Sequence, residues 1–281
     1  MLSVKNVTKR FDEVLGIVGQ NGAGKSTTFK MIMNFLKPDQ GTITIAGQPL
    51  DEKSLDQIGF LPEERGLYLD MTIKEQVLYF ASLHGFDLKI AAADLPLWMN
   101  RLSVKGNEKS RIKNLSKGNI TVNHGHRPRL VILDEPFLGL DPVNVELLIE
   151  TVKKLKAAGT AIIFSSHNMK NVAEVSDQLL MLVNGNQRLY GPIDEIRSRF
   201  GKTKIYLEGV FDNLLIEELP GMMAIDDDYP GKVITFDSEL HVKQAIDRAR
   251  HLPSLRGYRL LPATLDDIFR LTIKGEVDSH E

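Results

Sequence analysis

The feature that most constrains this chain is a glycine-rich run set directly behind an apolar one. Val14-Leu15-Gly16-Ile17-Val18 reads as a buried strand, and Gly19-Gln20-Asn21-Gly22-Ala23-Gly24-Lys25-Ser26 follows in the pattern G-x-x-x-x-G-K-[ST]. Glycines allow the backbone to wrap closely around a phosphate with its N–H groups turned inward. A helix starting at Ser26 adds the positive end of its dipole. Lys25 reaches the outer phosphates, the Ser26 hydroxyl is placed to hold Mg2+, and Thr27 is positioned for the α-phosphate. The alternative is a glycine-rich turn with an incidental lysine, and the strand before and helix after argue against it.

A triphosphate loop needs a carboxylate delivered by a neighbouring strand. Leu130-Val131-Ile132-Leu133 is an apolar run of the kind buried in a parallel sheet, and it delivers Asp134 and Glu135. Asp134 is then placed to support the metal, and Glu135 to polarise an attacking water. His167 follows Phe164-Ser165-Ser166 at the end of another buried run, Ala161-Ile162-Ile163-Phe164. Ligands bind at the carboxyl ends of such strands, so a neutral imidazole there can touch a γ-phosphate. Taken alone, His167 is better read as a structural histidine.

The other segments predict an α/β core with a mostly parallel sheet. Helices are expected over Ser26–Leu36, stopped by Pro38, and over Thr72–Leu83, which opens on the reciprocal capping pair Thr72 and Glu75. Asp87–Leu102 is helical in content, with Pro96 expected to kink or split it. Val145–Leu155 is a helix ended by Gly159. Strands are expected at Leu2–Val7, Gly41–Ile45 and Ile58–Leu61, and a hairpin about Asn184-Gly185. A boundary falls near Phe200-Gly201. Beyond it a β-α-β-β-α-β order, with an acidic turn at Asp226-Asp227-Asp228 and a helix at Phe211–Leu219, suggests a small ferredoxin-like α+β domain over 201–281. A final helix is expected at Leu265–Thr272.

Composition narrows the function classes. With no Cys, disulfides, thiolate metal sites and cysteine nucleophiles are excluded. A net charge of -2 gives no overall field toward nucleic acid. No apolar stretch is long enough to span a membrane and no secretion signal opens the chain, so a cytoplasmic location is expected.

Four motifs in order carry a resemblance: the Gly19–Thr27 loop, Leu115-Ser116-Lys117-Gly118-Asn119, Leu133-Asp134-Glu135-Pro136-Phe137-Leu138-Gly139-Leu140-Asp141-Pro142, and Ser165-Ser166-His167. Together they resemble the ATP-binding subunit of an ABC transporter, closest to the sodium-efflux and multidrug-export type, over nearly the whole chain. The resemblance implies a P-loop ATPase domain over 1–200, with a helical subdomain near 72–117 and an incomplete antiparallel subdomain. It implies ATP and Mg2+ as ligands, with Glu135 as general base and Lys25, Ser26 and Asp134 on phosphates and metal. His167 would be the switch histidine, and Glu63 would stand where many relatives have a metal-sensing glutamine. Asp141 would lie in the loop that communicates across a dimer. Ser116 and Gly118 would cover the nucleotide held by a paired ATPase subunit, and Phe11 would stack on adenine. The partner implied is a separate membrane permease, which would hold this subunit at the inner face of the plasma membrane and decide the substrate.

The chain departs from that pattern twice. Only seven residues separate Phe11 from Gly19, where relatives carry a strand, a turn and a second strand, so Phe11 is not expected to reach the base easily. After Asn119, the stretch Ile120–Pro128 is too short and too rich in β-branched residues for the helix that relatives have there. His124 and His126 in it read as exposed loop residues rather than metal ligands. Both departures point to ATP binding with poor dimer closure and uncertain turnover. The rival readings are a degenerate or regulatory nucleotide-binding protein, and a soluble ABC protein of translation or repair, which would carry tandem ATPase domains or long coiled coils.

Overall fold

A computed structural model describes residues 13–45, 47–55, 57–63, 68, 70–83, 87–101, 106–112, 128–209, 219–251 and 254–273. The chain separates into two compact units, Met1–Gln187 and Arg188–Glu281.

The first unit is built on a parallel sheet. Its elements in order are β1 (Val14–Val18), α1 (Lys25–Ile32), β2 (Thr44–Ile45), β3 (Gln48–Pro49), α2 (Glu52–Leu55) and β4 (Ile58–Leu61). There follow α3 (Ile73–Leu83), α4 (Leu88–Arg101), β5 (Leu130–Leu133), α5 (Pro142–Ala157), β6 (Ala161–Ser165), α6 (Met169–Val175) and β7 (Gln178–Val183). Sheet order is β4-β5-β6-β1-β7, with neighbours parallel throughout. β1, β5 and β6 are buried along their whole length. This is why they read as continuous apolar runs rather than alternating ones, since helices cover both faces of a parallel sheet. Asn184 and Gly185, both at positive φ, make the two-residue turn after β7 into β8 (Asn186–Pro192).

Several segments differ from the sequence expectation, each for a local reason. α1 stops at Ile32, not Leu36, because Asn34 adopts φ 59 and the Phe35 N–H returns to the Lys30 carbonyl. Asparagine tolerates this left-handed helix ending, so the stop comes before Pro38. The strand expected at Gly41–Ile45 shrinks to β2, paired antiparallel with β3. α4 runs through Pro96 as one helix. A proline removes one helical N–H bond, yet the adjacent Leu95 is fully buried against Ile73, Val77 and Ile112. That burial offsets the loss, at about 1.5–3 kcal/mol for a leucine side chain. α5 begins at Pro142, three residues ahead of the apolar periodicity, because Asp141 caps it and proline fits the first helical position.

α3 and α4 pack together around that small cluster. The Thr72 N–H donates to Glu75 Oε2 at 2.8 Å and the Glu75 N–H to Thr72 Oγ1 at 3.2 Å, the reciprocal cap read from sequence.

The second unit continues with α7 (Ile193–Phe200), β9 (Lys204–Glu208), β10 (Met222–Asp228), β11 (Gly231–Phe236), α8 (Glu239–Ala249), β12 (Gly257–Leu261) and α9 (Leu265–Ile273). Its sheet order is β10-β11-β9-β12, every pair antiparallel. Ile205, Leu207, Ile234, Phe236, Val242 and Ile246 form its core. Asp226–Asp228 belong to β10 and not to the turn, which is Tyr229-Pro230. β10 lies at the sheet edge, and its exposed acids discourage further strand pairing there. The helix expected at 211–219 and the strand expected at 2–7 lie outside the described residues, Leu219 excepted.

Candidate functional site

The parallel register brings four strand ends together. Leu61 pairs with Leu133, Leu133 with Phe164, and Ile17 with Ser165. The loops leaving β1, β4, β5 and β6 therefore start from one edge of the sheet, the carboxyl edge where ligands bind in this architecture.

From β1 the chain enters the glycine loop. Gly19 has no room for a side chain, since a Cβ would meet the Leu182 carbonyl oxygen at 2.5 Å. Gly22 and Gly24 take φ 81 and 102, conformations that favour glycine. Gly24 occupies the N-cap of α1 and supplies no side-chain hydrogen bond to it. The first N–H groups of the helix are thus left for an acceptor from outside, which is the chemistry of an anion cradle. Lys25 is buried and folds back on the loop, donating from Nζ to the Gly19 carbonyl at 2.7 Å and to that of Gln20 at 3.3 Å. Ser26 is half-buried and Gln20, Asn21 and Thr27 are exposed, while Ala23 is buried and anchors the turn by its N–H bond to the Gln20 carbonyl.

From β5 come two buried carboxylates, Asp134 at 7% exposed and Glu135 at 9%. The Asp134 N–H donates to the Leu61 carbonyl. Glu135 sits at φ 47, strained for a residue with a side chain and held there by its surroundings. Just beyond, Phe137 packs edge-on to Phe164, ring centres 5.7 Å apart, and pins the loop to β6.

From β6 comes a contact the sequence reading missed. Ser165 is fully buried, and its hydroxyl donates to Asp134 Oδ1 at 2.6 Å while accepting the Glu135 N–H at 2.8 Å. The serine was visible in Ser165-Ser166-His167, but a lone hydroxyl has no periodic signal, and its partners lie 31 and 30 residues away. His167 is 61% exposed and places Nδ1 2.9 Å from Glu135 Oε2. The imidazole is therefore linked to the carboxylate expected to act as base. Glu63 is exposed, two residues beyond β4 at the same sheet edge. Asp141 accepts from the Asn144 N–H at 3.0 Å, and the Asn144 backbone and side-chain donors hold its carboxyl below the usual range. Phe11, Ser116 and Gly118, with Lys117, Asn119, His124 and His126, lie outside the described residues. Among the described residues no three His, Asp or Glu side chains gather as a metal cluster. A serine hydroxyl and one carboxylate fit Mg2+, which takes most of its ligands from phosphate and water. No helix among the described residues is long and apolar enough to cross a membrane.

A parallel sheet, a glycine loop feeding a helix N-terminus and acids on the neighbouring strand define a P-loop nucleoside triphosphatase. The ABC transporter family model matches residues 4–138. A second model, described as an AAA domain and putative AbiEii toxin of a type IV toxin–antitoxin system, matches residues 114–172. An uncharacterized ABC transporter ATP-binding protein of Bacillus subtilis, YhaQ, is 35% identical, covering 96% of this chain and 97% of its own. One from Alkalihalophilus pseudofirmus is 37% identical over 90% of this chain and 97% of its own. A solved ATP-binding subunit of an ABC transporter superposes with a TM-score of 0.63 at 32% identity, over 71% of this chain and 87% of that one. The chain belongs to the ATP-binding subunits of ABC transporters, and it is an ATPase of that family. Such subunits bind ATP, generally with Mg2+, dimerise and pair with membrane permeases.

Proposed function

We propose that this chain hydrolyses ATP to drive export through a separate permease at the cytoplasmic face of the membrane. The observation that carries the reading is the linked set Asp134, Ser165, Glu135 and His167, set on the sheet edge from which the Gly19–Thr27 loop departs. Lys25 and the N–H groups of Gly19–Thr27 would hold the phosphates, and Ser26 and Asp134 would hold Mg2+, with Glu63 nearby. The bound metal would neutralise phosphate charge. Glu135 would orient the attacking water and take its proton, and His167 would hold the Glu135 carboxylate in place. Ser116 and Gly118 would complete the site of a paired subunit, homodimeric or not, and Phe11 would contact the base. Residues 201–281 would serve as an accessory domain.

Export is supported by a more distant relative, a Nod factor export ATP-binding protein of Burkholderia orbicola, 30% identical over 92% of this chain. The sodium-efflux and multidrug assignment rests on the motifs alone. The inferred internal shortenings are supported by the YhaQ alignment, which runs over 289 positions against 281 residues in this chain, so the relative carries residues absent here.

Two measurements test this reading. ATP turnover should require Glu135, and Glu135→Gln should abolish it while MgATP still binds. Turnover that survives the substitution removes Glu135 as the base. Affinity capture from membranes should recover a multi-spanning permease. Recovery of only soluble partners would sink the transport role.

A further inference from the structure

We infer that Ser165 is a positioning residue that sets Asp134 and Glu135 together through one hydroxyl. The inference rests on the proposed roles of those two carboxylates and extends them to a residue outside that assignment. Its geometry leaves little choice of direction. An ionised carboxylate only accepts, so the 2.6 Å contact to Asp134 Oδ1 must be donated by the Ser165 O–H. A backbone N–H only donates, so the 2.8 Å contact from Glu135 must end on a lone pair of the same oxygen. The hydroxyl therefore has both its hydrogen and an acceptor site engaged, and it is fully buried, away from bulk solvent.

The Asp134 bond fixes one oxygen of that carboxylate. The Glu135 bond fixes a backbone N–H at φ 47, a conformation that a glutamate side chain disfavours and that the surroundings must hold. That φ directs the Glu135 side chain, whose Oε2 then meets His167 Nδ1. Ser165 itself is anchored by the sheet, in register with Ile17 of the strand that opens into the phosphate loop. One side chain thus ties the metal-side carboxylate and the base-side carboxylate to the strand beside β1. A hydroxyl is the smallest group that can donate and accept at once from that point.

The test compares Ser165→Ala, which removes both bonds, with Ser165→Thr, which keeps the hydroxyl. Turnover is measured at saturating ATP, binding of a fluorescent ATP analogue is titrated with Mg2+ and repeated in EDTA, and Tm is recorded. Partners that orient metal ligands are worth about 10–100-fold when removed. Ser165→Ala is expected to lower kcat by about tenfold or more and to raise the Mg2+ needed for half-maximal binding by several-fold. Binding in EDTA should stay at the wild-type level, and Ser165→Thr should recover most of both losses. Wild-type kcat and Mg2+ dependence in Ser165→Ala would overturn the proposal. So would loss of EDTA binding in step with Tm, which marks the hydroxyl as packing only. Asp134→Asn and Glu135→Gln are run beside it. If Asp134→Asn keeps the wild-type Mg2+ dependence, or Glu135→Gln keeps turnover, the underlying reading fails and the Ser165 role falls with it. If both behave as expected and only Ser165→Ala is silent, the reading stands and this inference alone is wrong.

Discussion

Each unit of this protein buries a carboxylate on or beside a sheet, and they treat it in opposite ways. In the C-terminal unit Asp267 is met by the Lys204 ammonium at 3.0 Å, and it also caps α9 by accepting from the Thr264 N–H at 2.8 Å and from the Thr264 hydroxyl. Its charge is balanced and its oxygens are used. In the N-terminal unit Asp134 and Glu135 have, among the described residues, a serine hydroxyl and an imidazole as side-chain partners, and no lysine or arginine within salt-bridge reach. A buried charge left without a cation is costly to the fold. Local rules are broken in this way where a ligand completes the arrangement. The proposed Mg2+ would supply the cation that Asp134 and Glu135 lack among the described residues, while Asp267 is balanced within the fold.

The contrast predicts which substitutions strike activity and which strike stability. The largest effect is expected from Glu135→Gln, a loss of at least about 100-fold in kcat with Tm unchanged or raised, measured by phosphate release and thermal melting. Lys25→Ala comes next. Removing the ammonium should weaken MgATP binding by at least about tenfold in a fluorescence titration, because each charged hydrogen bond to phosphate is worth about 1.5–3 kcal/mol. Asp267→Asn should leave turnover per folded molecule alone and lower stability by about 3 kcal/mol in denaturant unfolding, because Lys204 keeps its charge without a partner. Equal losses of turnover from Asp267→Asn and Glu135→Gln would erase the distinction. Thr72→Ala should cost about 1 kcal/mol by loss of a helix cap, with little effect on ATP binding. The smallest effect is acidic. Hydrogen bonds from the Thr72 backbone and side chain lower the Glu75 pKa, so the cap is intact above the ordinary carboxylate range and is lost as pH falls through the depressed value. Glu75→Gln should remove that slope from a plot of stability against acid pH.

What the sequence made legible follows the same divide. The buried parallel strands declared themselves as apolar runs, with Ile58–Leu61 and Leu130–Leu133 matching β4 and β5 residue for residue. The glycine loop, Asp134 and Glu135 were legible because their residue types are tied to phosphate and metal chemistry at fixed spacing. Ser165, and the contact between His167 and Glu135, were not. Both depend on β5 and β6 lying side by side, and nothing local in either segment encodes that adjacency. The endings were not legible from periodicity: the apolar pattern began three residues inside α5, whose start is set by the Asp141 cap and Pro142, and α1 was closed by Asn34 ahead of the proline that was expected to do so.

The place of β1 in the sheet has a consequence for how this protein comes into being. β1 is the first described strand of the chain, yet it lies between β6 and β7, whose paired residues come roughly 150 positions later. A nascent chain emerging N-terminus first carries the complete Gly19–Thr27 sequence long before the strands that flank it exist. Closing so long a loop in one step is slow, and it cannot begin until Ser165 has left the ribosome. The nucleotide loop is thus made well before the strands that give it support.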